Sequence, residues 1–404
     1  MKKTLFFSFF LFSVFSFSQQ KEKKDSIPAT QIKLLNTNYK DFVIVNKSVY
    51  AITKGDSLIS INLVNNKILF IQNKIKSIYK SKKNKIVALT DKGEVLLQKD
   101  KSKFNLVDTF EGIPYKILID KNNDFIIISS KYVRYKNENF VPEKDSPMYR
   151  KAGRVRPSSA LIPIDVFYID NENRIWLGYD AGEWGGDICF FDLNTKTFYT
   201  DKSLSSIFDD KHERLPKNDL ELLNEYPGKV KVIDKDTLIK FPYQLYISNI
   251  KGVSQNRDGD FFISESLMHF SVSGGLTILK KTEFDDYYKN VSLDCILEKD
   301  SIINVKGNYK FLNEYIGTNT INKFNNSFYY YSDKGFFKII RNNNEYSKDF
   351  IFKPLIYWTA GLPDAVGYQM SVIKFEFISE KEIVFLTSSN GIGYFDGKTV
   401  KYFK

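Results

Sequence analysis

Two histidines and two cysteines are all that 404 residues contain, and this scarcity removes several kinds of chemistry at once. His269 lies in the strand-like stretch SLMHFSV, where a packing histidine is expected, and His212 lies in a long insertion. Neither belongs to an HExxH pair or a Ser-His-Asp set, and there is no glycine-rich phosphate loop. Cys189 and Cys295 show no CxxC spacing and sit in alternating runs (GDICFFDL, SLDCILE), so buried thiols and a disulfide both stand as readings. Asp120, Asn122 and Asp124 alternate as in a calcium loop but lack its sixth-position glycine and twelfth-position glutamate, so they read as a turn. No metal and no cofactor is expected.

Long apolar runs are also missing after the first eighteen residues. Lys2 and Lys3 precede the apolar run Leu5–Phe17, and Ser16 and Ser18 supply the small residues a signal peptidase requires. The run is too short for a span, which takes about 20 residues. Residues 1–18 therefore read as a signal peptide cut before Gln19, with no cysteine behind it for a lipid anchor. The expectation is a periplasmic or secreted protein without a transmembrane anchor. A basic stripe is lacking too. The formal net charge is +11, but the lysines are interspersed with acids (KEKKD, KSKKNK, EKDS), which excludes nucleic acid as the expected partner.

What the chain has is a repeated phrase: a polar turn, a β-rich run, a Gly/Ser/Asp turn and a second β-rich run. It reads NENRIWLGYDAGEWGGDICFFDL from Asn171, SQNRDGDFFISESLMHFSV from Ser254, NNSFYYYSDKGFFKII from Asn325 and SEKEIVFLTSSNGIGYFDG from Ser379. Units of about 40–50 residues built this way close into all-β propellers. The second strand of each unit begins at Val49, Ile86, Phe125, Ile175, Phe261, Phe328 and Ile383, which predicts seven four-stranded blades. Ser301–Phe311 marks either an eighth, abbreviated blade or an elaborated outer strand, and six blades is the other alternative. Residues 19–38 read as an exposed N-terminal segment and 39–404 as one propeller domain. An insertion around 203–244 carries a short helical pattern, LPKNDLELLNEY. Continuous apolar runs such as FYYY and FIII fit sheets covered on both faces, and Trp176 reads as core.

A second phrase recurs as TAGLPDAVGYQ from Thr359, EGIPYKI from Glu111 and ERLPKNDL from Glu213. With the strand phrase, it resembles the two-component regulator propeller repeat, most closely over Gly361–Lys398 and then Arg174–Asp192. The resemblance implies either a periplasmic sensor domain of a hybrid histidine kinase or a stand-alone exported propeller of Bacteroidetes type.

Connections in an antiparallel four-stranded blade alternate between the two ends of the propeller. The inter-blade links and the second-to-third turns share one end. The long segments 142–163, 203–244 and 350–367, with the turn DAGEWGGD at 180–187, are all predicted there, opposite an end with tight polar turns alone. Long loops in a compact domain commonly carry function. Candidate ligand-binding residues on them are Arg150, Arg154 and Arg156, which suit carboxylate, sulfate or phosphate, together with Asp180, Glu183, Trp184, Trp358 and Asp364. These favour a non-catalytic binding or sensor module for a glycan or envelope protein. The alternatives are a polysaccharide lyase or hydrolase using carboxylates at the channel mouth, and a structural component of an envelope assembly.

Overall fold

Seven four-stranded antiparallel sheets follow one another along the chain and form a seven-bladed β-propeller. The computed structural model describes residues 26–27, 29–35, 37–142, 149, 161–180, 186–199, 230–234, 237–240, 250–268, 272–282, 284–285, 309–312, 316–332, 334–342, 345–355 and 372–404. Two short strands come first, β1 (Ser26–Ile27) and β2 (Ala29–Ile32). Blade one comprises β3 (Tyr39–Val45), β4 (Ser48–Thr53), β5 (Leu58–Asn62) and β6 (Ile68–Gln72). Blade two comprises β7 (Ile75–Lys80), β8 (Ile86–Thr90), β9 (Glu94–Gln98) and β10 (Phe104–Thr109). Blade three comprises β11 (Pro114–Ile119), β12 (Phe125–Ser129), β13 (Val133–Tyr135) and β14 (Glu138–Phe140). Blade four comprises β15 (Val166–Ile169), β16 (Arg174–Asp180), β17 (Gly186–Asp192) and β18 (Thr197–Tyr199). A separate two-stranded hairpin, β19 (Val230–Asp234) with β20 (Thr237–Lys240), lies in the insertion that follows. Blade five comprises β21 (Ile250–Gln255), β22 (Phe261–Met268), β23 (Val272–Leu279) and β24 (Tyr309–Leu312). Blade six comprises β25 (Ile316–Phe324), β26 (Ser327–Ser332), β27 (Gly335–Asn342) and β28 (Glu345–Pro354). Blade seven comprises β29 (Val372–Ser379), β30 (Glu382–Thr387), β31 (Ile392–Phe395) and β32 (Val400–Phe403).

Every predicted second strand is found, and the described end of the ambiguous Ser301–Phe311 stretch, Tyr309–Phe311, lies in β24, the outer strand of blade five. That placement corrects one expectation. The connection from β23 to β24 spans residues 280–308, so the end opposite the long links also carries a long segment. The helical pattern at 215–226 lies outside the described residues.

Among the described residues the core is divided into seven apolar clusters, one between each pair of neighbouring blades. Strand alternation feeds them. Trp176 packs toward blade five with Phe261 and Phe284, while Ile175 and Leu177 on the other face pack toward blade three. Tyr329 and Tyr331 face blade seven, and Phe328 and Tyr330 face blade five. A strand covered on both faces has no polar side to show, and this explains the unbroken apolar runs.

The turns are fixed by side chains placed according to connection type. Between first and second strands, Asp120 Oδ1 accepts the amides of Asn122 and Asp124, and Asp170 Oδ1 accepts those of Glu172 and Arg174. Asn256 and Ser81 accept the amide four residues on in the same way. Between third and fourth strands, Asn62, Asp100, Asp192 and Asp396 each accept the amides two and three residues later. The calcium-like spacing at Asp120 is therefore a turn device, with Tyr135 donating its hydroxyl to Asp120 Oδ2 at 2.9 Å.

Blade seven is built entirely from C-terminal strands, so no strand from the N-terminus completes its four-stranded sheet. Instead β1 and β2, within the segment expected to be exposed, add parallel outer strands to β28 and β32. Ile27, Ala29 and Ile32 are half-buried there. Parallel addition to an outer edge satisfies that edge's free backbone groups, and no local pattern announces it.

At blade four, Asp170 Oδ2 accepts from Arg174 Nε at 2.6 Å and from Trp176 Nε1 at 3.2 Å, with the Asp170 side chain 0% exposed. Removing one partner of such a pair leaves an uncompensated buried charge. Asp170→Ala is expected to cost roughly 3–5 kcal/mol in urea unfolding, against roughly 0.5 kcal/mol or less for Asp124→Ala on an exposed pair.

Candidate functional site

First strands line the central channel and begin at the end where the inter-blade links arrive, here called the link end. Lys40 on β3 and Lys76 on β7 confirm the level, because both reach Asp56 in a second-to-third turn at 2.6 and 2.5 Å. Six of the seven first strands carry a register shift near this end, at Tyr39/Asp41, Ile75/Ser77, Pro114/Lys116, Ile250/Gly252, Ile316/Ile321 and Val372/Lys374. A β-bulge re-aims the residue beside it and is common at rims and active sites. Three of these bulges each precede a charged residue: Asp41, Lys116 and Lys374.

Those three meet, although 333 positions separate Asp41 from Lys374. Lys374 Nζ lies 2.7 Å from Asp41 Oδ1 and 3.2 Å from Glu376 Oε1, and Lys116 Nζ lies 2.8 Å from Asp41 Oδ2. Lys374 also donates to the Phe42 carbonyl at 2.5 Å and sits 4.9 Å from the Phe42 ring centroid. Glu376 Oε2 accepts the Ile44 amide at 3.3 Å. The cluster joins blades one, three and seven across the channel. Its side chains keep 18–24% exposure, so the charges border solvent rather than a dry core. Ser77 adds a buried hydroxyl with no hydrogen-bond partner among the described residues.

Burial by itself would raise the Asp41 carboxyl, but the Lys116 and Lys374 ammoniums outweigh it and hold the group well below the usual carboxylate range. Burial pulls Lys374 down, and Asp41 and Glu376 more than reverse that, raising it above an ordinary lysine. Tyr79 is pushed up by burial and then by the Glu376 carboxylate. An acid held this firmly ionised makes a counter-ion, not a proton donor: a general acid needs a pKa near the working pH. Two carboxylates and two ammoniums also leave the cluster neutral.

Of the sequence-predicted site residues, Asp180 lies at the end of β16, paired in register with Gly186, which places its backbone at the link end. Arg150, Arg154, Arg156, Glu183, Trp184, Trp358 and Asp364 lie outside the described residues. Asp41, Lys116, Lys374 and Glu376 were missed. Each stands in an otherwise ordinary strand pattern (KDFVIV, YKILI, IKFEF), and only the closed ring brings the three strands together. Cys189 is buried in the core between blades three and four, and Cys295 lies outside the described residues.

The sequence matches no family of known proteins, and no curated protein matches it by sequence. Solved structures of similar shape are propellers or contain them. A catalytically inactive virginiamycin B lyase from Staphylococcus aureus, with quinupristin, is 11% identical, with a TM-score of 0.47, and the match covers 90% of this chain and 97% of that one. YCF48 from Cyanidioschyzon merolae is 9% identical, with a TM-score of 0.44 and coverage of 90% and 97%. The extracellular domain of the hybrid two component system BT4673 from B. thetaiotaomicron is 10% identical, with a TM-score of 0.37. That match covers 89% of this chain and 45% of that one. Likenesses this distant carry no argument about activity or ligand.

The pH dependence has a definite sign. Because the folded pKa of Asp41 is lowered, its contribution is complete above the unfolded value and fades as pH falls below roughly 5. Because that of Lys374 is raised, its contribution is complete below roughly pH 10 and fades at higher pH. Asp41→Asn should flatten the acid limb of urea stability plotted against pH. Lys374→Met should cost roughly 2–3 kcal/mol at neutral pH, the channel's partial hydration moderating the penalty of a lost partner.

Proposed function

We propose that this chain is a non-catalytic binding module, working outside the cytoplasm, that takes a glycan or an envelope protein on its link end. The observation that carries the reading is the convergence of structure at that end. Three bulges set Asp41, Lys116 and Lys374 into the channel mouth, at the end where the links 141–165, 200–249 and 355–371 leave one blade and enter the next. A rigid ring presenting long connections around a polar mouth is a common design for recognition, because the scaffold holds the loops in place without taking part in the contact. The mouth's carboxylates are engaged as counter-ions, which favours binding over acid–base turnover. A sensor role like that implied by the two-component regulator propeller repeat is one form of this reading.

Thermal-shift screening with oligosaccharides and envelope extracts tests it. A stabilising ligand should lose at least about tenfold in affinity with Trp184→Ala or Arg154→Ser, since either removes one principal contact. Turnover of a polysaccharide that Asp180→Asn or Glu183→Gln abolishes would overturn the non-catalytic reading.

A further inference from the structure

The opposite end of the propeller, between blades one and two, holds a cavity of about 510 Å³. Its wall includes Lys67, Lys85, Lys99 and Lys101. All four are exposed, and none forms an ion pair among the described residues. Among the described lining residues one carboxylate is present, that of Asp100, and its Oδ1 accepts the amides of Ser102 and Lys103 at 3.1 and 3.0 Å. Those amides hold it below the ordinary aspartate range, so it stays charged while engaged with its own turn. Four ammoniums against one such carboxylate leave the cavity strongly positive.

The rest of the wall is suited to hydroxyl groups. Gln98, 7% exposed, accepts the Ile86 amide at 3.0 Å and donates to the Tyr50 hydroxyl at 3.2 Å. Tyr50, 6% exposed, thus accepts one hydrogen bond and keeps its own hydrogen as a donor at the cavity. Its ring packs into the core between blades one and two, so the described lining offers no open aromatic face on which a base could stack. A concave site with several cations, amide and hydroxyl partners and no stacking platform fits a hydroxyl-rich polyanion better than a nucleic acid.

We propose that this cavity binds an acidic oligosaccharide, one bearing sulfate or carboxylate groups, independently of the link end. The test is calorimetric titration of the chain with a chondroitin sulfate oligosaccharide, a hyaluronan oligosaccharide, a neutral maltooligosaccharide, single-stranded DNA and sodium sulfate. At least one acidic oligosaccharide should bind, with sulfated and uronate arms separating the two anionic groups, and the neutral sugar should not. Raising NaCl from about 50 to about 300 mM should weaken binding about tenfold, as expected for exposed charges. Lys85→Gln/Lys99→Gln should weaken it at least about tenfold with an unchanged melting midpoint, since charge-assisted hydrogen bonds are lost from exposed side chains. Lys40→Gln/Lys76→Gln, at the link end, should leave it unchanged. Failure of both acidic sugars to bind would overturn the proposal, as would unaltered affinity in Lys85→Gln/Lys99→Gln. Equal affinity for DNA or for inorganic sulfate would overturn its saccharide part. The two ends are probed by separate variants, so this proposal and the link-end reading fail separately.

Discussion

A ring of seven consecutive blades must join its last sheet to its first, and here side chains and one outer strand, β2, form that joint. Blade seven meets blade one through a cluster that includes Phe42, Ile44, Val49 and Ala51 on one side and Val384, Leu386, Ile392 and Phe403 on the other. Burying each large aliphatic or aromatic side chain is worth about 1.5–3 kcal/mol, so this face supplies most of the adhesion. The Lys374–Asp41 pair contributes less energy but more geometry, because it ties one point of β29 to one point of β3 at 2.7 Å. Hydrophobic contact is non-directional, and a half-buried ion pair with fixed partners is not. The outer strand adds a third element: β2 runs along β32, and the Leu34 and Leu35 amides both donate to the Lys404 carbonyl, at 2.5 and 3.2 Å.

That joint also shapes the channel mouth. The same Asp41 that ties blade seven also binds Lys116 of blade three, so closure and the polar lining of the channel are one network. The network itself is neutral, and in the proposed reading selection at that end falls to the links around it. The cavity at the other end is the reverse case, strongly positive, with its four lysines on the connections between strands. The two ends of one scaffold thus offer different chemistry.

The blades were legible because each second strand follows a polar corner and is apolar on both faces. Phe125–Ser129 after Asp120 and Phe261–Met268 after Asn256 show both signals within ten or so residues. Trp176 was legible as core for the same reason. The N-terminal pairing was not, since parallel addition along an outer edge leaves no spacing rule in β1 or β2. The channel charges were not, since a lone lysine in IKFEF looks like any solvent-facing strand residue until the ring closes over it. The lysine cavity was hidden as well: KSKKNK and QKDKSK each look like a solvated turn, and the fold brings Lys85 and Lys99 to one wall.

Amide hydrogen exchange of the wild-type chain and Lys374→Met tests most directly the claim that the Lys374–Asp41 pair sets ring closure. The account predicts that protection falls together in β3 and β29–β32, while β12 and β16 keep theirs, because local opening follows the contacts that were lost. Unchanged protection in β3 and β29, or an equal loss in every blade, would contradict it.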